Sequence, residues 1–399
     1  MGIAIIFLLA SAASLVIEIG CYASKPKPLP EALDLASMQL LQKVYESSAD
    51  KNVVISPLGV FTLLSLYVFD VEGKVADEIV DFLRAANRTQ LTDSYKKLSR
   101  ELSGMDPDVL GFFNNVFIDS QLTIDYTFFL NALSYKSEVN IIDFENPKFA
   151  ANKINEWVSE KTKGKINGLV SVDDMKHDLY IALYNVISFK GHWGVPFDEH
   201  YTKDNCFITD DYKLVTKPTM HIIQNLDYYE DNVDADAKMI QLPYKESKLK
   251  MVVLLPNRID GLSWLLRWVS EIGLLPYVNH LNNSKTDVYL DLPRFEVKSK
   301  YNLKNILPKV GIASIFYYPV DGIVNEGPVA LEDILQEAFI TVDEEGSTAG
   351  GAKGLDVRED RWRSNPRSLP PSTSFLANHP FFYAVLYDDL VLLAGTYSH

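Results

Sequence analysis

The sequence predicts an α+β fold built as one large domain. Helical and strand periodicities are mixed without a steady βαβ alternation, which argues against a doubly wound sheet. At 399 residues, 47% hydrophobic and 23% charged, the chain has the composition of a folded protein with ample material for a core. Neither an internal repeat nor a Gly/Ser-rich linker divides it before position 346.

Taken in order, Leu33, Leu40, Leu41 and Val44 recur at helical spacing and predict a helix over 31–48. Asn52–Pro57 reads as a short apolar strand stopped by proline, after which Leu58–Phe69 returns to helical spacing. A polar helix is expected over Gln90–Leu102, and Pro147–Lys163 predicts a helix stopped by Gly164. Strands fit Phe112–Ile118, Leu179–Phe189, Ala237–Leu242, Lys250–Leu255, Thr286–Phe295, Ala338–Val342 and Pro380–Ala394.

Residues 1–23 are an apolar run without Lys or Arg, interrupted by Glu18 and too short for a good spanning helix. They predict a signal peptide cleaved after Ala23, leaving 24–399 as a single extracellular domain. An uncleaved anchor and a lipoprotein cysteine at Cys21 are the alternatives. Sequons at Asn87 and Asn282 fit a glycoprotein on the secretory route. Cleavage would leave Cys206 alone, so no internal disulfide is expected. With 38 Lys+Arg against 53 Asp+Glu, the net charge of −15 opposes nucleic-acid binding. No Cys/His spacing suits zinc. A monomer is expected, with no metal, cofactor or membrane.

One stretch breaks the pattern of elements. From about 344 to 374 the chain reads as extended and exposed, first Gly-rich and then rich in Arg, Pro and Ser. That is longer than an ordinary connection, and such loops often carry function. Catalytic signatures are missing: no GxSxG, HExxH or GxGxxG motif occurs. Gly346–Lys353 lacks the order of a phosphate loop and no helix follows it. His192 and His379 read as core or surface residues, and Asp173-Asp174 and Asp210-Asp211 as solvated charge.

Several segments together resemble the serpin family of protease inhibitors. Asn52–Pro57, Asn155–Ile166, Asn185–Trp193, Leu242–Tyr244, Met251–Pro256, Leu292–Phe295, Glu344–Gly346 and Phe375–Phe381 follow in family order between about 32 and 395. The resemblance implies a serpin fold of three β-sheets with about nine helices and a reactive-centre loop over about 344–374. It also implies a suicide mechanism. A protease attacks the loop and forms an acyl-enzyme, and the cut loop then inserts into the main sheet and drags the protease along.

By the same resemblance, Glu344, Glu345, Gly346, Ser347, Thr348, Ala349, Gly350, Gly351, Ala352 and Lys353 form the hinge. Asn52, Ser56, Pro57, Asn185 and Gln336 match the shutter that controls sheet opening. Trp193 matches the breach at the top of the sheet, and Arg294 with Glu344 matches an ion pair there. Two departures matter. Gln336 stands where the family usually has His, so it cannot switch charge near neutral pH. Lys353 shares a strand face with Ser347, Ala349 and Gly351, and family precedent turns that face inward, where an unpaired ammonium is costly.

The reactive bond has three candidates. Counting forward from Gly346 lands on Asp360, beside Arg361, whereas counting back from Phe375 lands near Arg367-Ser368. Cutting at Arg367 instead of Arg361 adds six residues, about 20 Å of slack tether. Arg361-Trp362 is therefore favoured for trapping, Arg367-Ser368 as an easy cut, and Asp360-Arg361 third. The arginines point to a trypsin-like serine protease, whose acidic pocket accepts them. A heparin-like polyanion is a further candidate partner through Lys96, Lys97 and Arg100, although Glu101 and the overall acidity oppose it. The alternative to inhibition is a non-inhibitory binding or substrate protein of the same fold.

Overall fold

The computed structural model describes residues 29–69, 71–175, 179–282, 284–346 and 373–399. Its centre is a five-stranded sheet in the order β10 (Phe295–Asn302), β11 (Asp333–Val342), β4 (Ile181–Phe189), β2 (Leu110–Asp119), β3 (Glu138–Ile142). The two middle strands β11 and β4 are parallel, running from Asp333 opposite Ala182 to Ile340 opposite Phe189. Such strands need cover on both faces, and every residue of β4 is buried. Ile181, Leu183 and Ile187 face the main core, together with the wholly buried helix α2 (Pro57–Tyr67). Ala182, Tyr184 and Val186 face the other way, into a second cluster with α6 (Pro147–Lys161).

Local chemistry sets these elements. Helix α2 starts after β1 (Val53–Ile55) because Pro57 supplies a helical φ at the first position. The Ser56 hydroxyl caps it by accepting from the Gly59 N–H at 3.1 Å. Helix α1 (Leu29–Ser47) packs across α7 (Leu262–Ile272), and α3 (Lys74–Phe82), α4 (Arg88–Ser103), α5 (Tyr126–Ser134) and α8 (Leu275–Leu281) complete eight α-helices among the described residues.

The remaining strands form one nine-stranded sheet. Its members are β1, β5 (Lys203–Ile208), β6 (Leu214–Asp231), β7 (Ala237–Pro243), β8 (Leu249–Pro256), β9 (Lys285–Pro293), β12 (Thr373–Leu376), β13 (Phe381–Tyr387) and β14 (Leu390–Tyr397). The three sheets expected are hydrogen-bonded as two, because β6 is long enough to pair with β5, then β9, then β7 along its length. Pro380–Ala394, expected as one strand, is a hairpin. Its turn holds Asp388 in the left-handed region at φ 51°, a geometry Asp tolerates. Thr286–Phe295 is likewise two strands, divided at Arg294. The segment expected to be exposed from 344 is not so at its start: Glu344 and Gly346 are buried.

Candidate functional site

Two clusters cross the β4–β11 seam, one in its middle and one at its end. In the middle, the Gln336 amide is fully buried. Its Oε1 accepts from the Ser56 N–H at 2.8 Å, and its Nε2 donates to the Ser56 carbonyl at 2.8 Å and to Asn185 Oδ1 at 2.7 Å. The Asn185 Nδ2 donates onward to Asn114 Oδ1 at 2.8 Å, and the Ser56 hydroxyl donates to the Leu392 carbonyl at 2.7 Å. A chain of neutral hydrogen bonds thus ties β2, β4, β11, the start of α2 and β14 together. The chain requires Gly59, since a Cβ there would lie 2.2 Å from Asn185 Oδ1. Gln336 has one acceptor and two donor hydrogens and uses both ends, so it makes these contacts without a charge.

At the end of the seam, the Trp193 indole N–H donates to the Asp343 carbonyl at 2.8 Å and its backbone N–H to the Glu345 carbonyl at 3.2 Å. The indole stacks on Tyr244, with ring centroids 4.5 Å apart. The Glu344 carboxylate, 3% exposed, receives Arg294 at 3.3 Å and the Thr202 hydroxyl at 2.7 Å. Its carbonyl accepts from the Phe197 N–H at 2.8 Å. Gly346, at φ +75°, lies so close to the turn that a Cβ would meet the Gly191 carbonyl oxygen at 2.2 Å. Glu344–Gly346, expected to begin a hinge, are therefore clamped by the 191–202 segment, which is why Glu344 is buried. Lys190 reaches Asp343 across the seam at 3.2 Å.

Ser56, Asn185 and Gln336 thus come together, with Pro57 next to Ser56, and Trp193, Arg294, Glu344, Glu345 and Gly346 form the second cluster. Asn52 does not join the first group. Its side chain accepts from the Ser398 N–H at 2.6 Å and donates to the His399 carbonyl at 3.0 Å, so it fastens the C-terminus. Asn114, Lys190, Thr202 and Asp343 escaped sequence reasoning. Lys190 and Asp343 had one signal, a charge directly after each of two buried strands.

The expected leader 1–23, the expected hinge residues Ser347–Lys353 and the bond candidates Asp360, Arg361, Trp362, Arg367 and Ser368 lie outside the described residues. Asn87 and Asn282 are exposed, at the N-terminal cap of α4 and the C-terminal cap of α8. Lys96, Lys97 and Arg100 of α4 do not form one solvent-facing patch. Lys96 lies half-buried over the Phe69 ring at 4.1 Å, where burial pushes its ammonium pKa down. The Arg100 Nε donates to the Ser134 carbonyl at 3.1 Å, and Lys97 is exposed. His379 is buried, with its Nε2 2.7 Å from the Pro256 carbonyl. No group of three or more His, Cys, Asp or Glu suited to a metal occurs among the described residues. No described helix is long and apolar enough to cross a membrane.

The family model for Serpin (serine protease inhibitor) matches residues 31–399. Antitrypsin of Bombyx mori is 27% identical over 367 residues, covering 91% of this chain and 92% of its own. Serine protease inhibitor 42Dd of Drosophila melanogaster is 29% identical over 368 residues, covering 90% and 94%. Among solved structures, Arabidopsis AtSerpin1 in its native stressed conformation superposes with a TM-score of 0.80 at 25% identity, covering 93% of this chain and 98% of that one.

Proposed function

The chain belongs to the serpin family, and on that premise we propose that it is a secreted inhibitor that covalently traps an arginine-specific, trypsin-like serine protease. The observation that carries this reading is the closed seam. Strands β4 and β11 pair directly from end to end, with Glu344–Gly346 leaving at the same end as Trp193. A sheet in this state still has room to gain a strand, provided the seam parts.

The chemistry at the loop belongs to the protease. Its serine Oγ attacks the carbonyl carbon of Arg361 and its histidine takes the hydroxyl proton. The bond to Trp362 breaks, the histidine returns the proton to the leaving amine, and an ester joins the two proteins. This chain's part is mechanical. The freed hinge folds back between β4 and β11 before water reaches the ester, and the residues that gate this are those around Gln336 and Trp193. Nothing in the role calls for catalysis by the chain itself.

The test is incubation with trypsin, followed by denaturing electrophoresis and intact mass of the released C-terminal peptide. A band near the sum of the two masses, with a peptide beginning at Trp362, is expected. A peptide beginning at Ser368 moves the bond to Arg367. Complete cleavage without an adduct, repeated with other arginine-specific proteases, overturns the inhibitor reading and leaves the binding or substrate protein. Detection of the chain in culture medium, beginning at Ser24, checks secretion.

A further inference from the structure

Far from the seam, α1 and α7 flank an open surface cavity of about 750 Å³, bordered by Arg84, just after α3, and by the turn Leu307–Val310. That volume falls in the range of small-molecule sites. Its floor holds Leu35 and Ser270, and its walls are mostly polar. The charge of the walls opposes that of the molecule. Lys43, Arg84, Arg267 and Lys309 face the cavity against Glu46 and Glu271 only, in a chain whose net charge is −15.

The two carboxylates leave the surplus unspent. Glu46 holds Lys43 at 2.8 Å and Glu271 holds Arg267 at 3.5 Å, each within one helical turn and each exposed. Pairs of this kind are weakly held, so both cations can turn to a ligand. Among the described residues, Lys309 donates only to the Ser47 hydroxyl, at 2.7 Å. The Arg84 guanidinium has no partner among the described residues. Four cations on four separate elements converge on one concave space, and such an arrangement suits several anionic groups carried close together.

We infer that this cavity binds a compact organic polyanion, several phosphate or sulfate groups on a small scaffold. The site is distinct from α4, where Lys96 is turned onto an aromatic ring. It does not depend on the protease reading.

Calorimetric titration at physiological ionic strength tests it, with inositol hexakisphosphate and sucrose octasulfate as separate probes. One-to-one binding is expected from at least one, and which one binds tells phosphate from sulfate. Arg84→Gln combined with Lys309→Gln should weaken binding about tenfold or more. Both side chains are exposed, so the fold should tolerate their loss. The probe should also raise the thermal unfolding midpoint of the natural protein more than that of the variant. Unchanged affinity in the double variant overturns the site. So does loss of binding in Lys96→Gln/Arg100→Gln but not in the cavity variant, or no binding of either probe.

Discussion

Gln336 occupies a position where one side chain must serve three backbone and side-chain groups at once. Replacing it with Ala would leave the Ser56 N–H and Asn185 Oδ1 buried without partners, while the Ser56 carbonyl keeps only the Val60 N–H at 3.2 Å. Unpaired buried groups cost about 1–3 kcal/mol each, so Gln336→Ala should destabilise by on the order of 3 kcal/mol or more. Denaturant titration reads this directly. Gln336→His should behave differently. A neutral imidazole can keep one acceptor and one donor contact, but the protonated ring loses the acceptor that the Ser56 N–H needs. That variant should therefore lose stability below about pH 6.5, and a thermal scan from pH 8 to pH 5 should show the loss only in the variant.

Asp333 gives the natural protein its own pH term. Burial raises this carboxyl to about 6, while Tyr184 and Asn302 donate to it. A folded-state pKa above the unfolded one means the folded chain binds the extra proton, so this contribution to stability is present at low pH. It is lost as pH rises through about 4 to 6. Asp333→Asn should remove that slope. The difference in unfolding midpoint between variant and natural protein should therefore grow in the variant's favour from pH 4 to pH 7. No pH dependence of that difference would mean that the tyrosine and amide contacts fully offset burial.

At the scale of elements, Lys190 and Asp343 form a latch between the two strands that the proposed mechanism parts. An added strand would move β4 and β11 from about 4.8 Å to about 9.6 Å apart, which a 3.2 Å contact cannot survive. Both side chains are mostly buried, at 24% and 17% exposed, so the pair is worth more than a surface one. Lys190→Ala should speed opening. On mild heating, the variant should lose inhibitory capacity faster than the natural protein while remaining monomeric by size exclusion. Equal decay rates would count against a latch.

How legible these elements were in the sequence follows their chemistry. Strands β2, β4, β7 and β8 are apolar runs, and their residues announced them. The strand β6 did not, because its burial follows no period of two: its first five residues are unburied, and buried pairs such as Thr219-Met220 and Ile222-Ile223 are broken by His221 and Gln224. The turn at Asp388-Asp389 carries no Gly or Asn to mark it, so two strands read as one. At the site, Ser56 and Gln336 were legible by family order, while the Lys190–Asp343 contact spans too much sequence for any local pattern to show. Asn52 shows the same limit. It lies next to the right strand, but its side chain serves the distant C-terminus.

At the scale of the whole molecule, the mechanism converts a five-stranded main sheet into a six-stranded one, and the hinge decides whether it can. A strand folding back from Gly346 brings Lys353 about 20 Å down the sheet, to the depth of Gln336. Family precedent turns that residue inward, toward amides that are already paired with one another. An ammonium held there without a carboxylate costs several kcal/mol, enough to slow insertion and let water release the protease. Lys353→Ala should therefore raise the fraction of cleavage events that end in a covalent complex, read as a lower inhibitor-to-protease ratio at full inhibition. The cleaved variant should also melt at a higher temperature than the cleaved natural protein, because both report the same inserted strand. A variant that traps no better but whose cleaved form melts higher would separate the two: insertion would then be favourable in either chain, and the length of the loop, not Lys353, would set the race against deacylation.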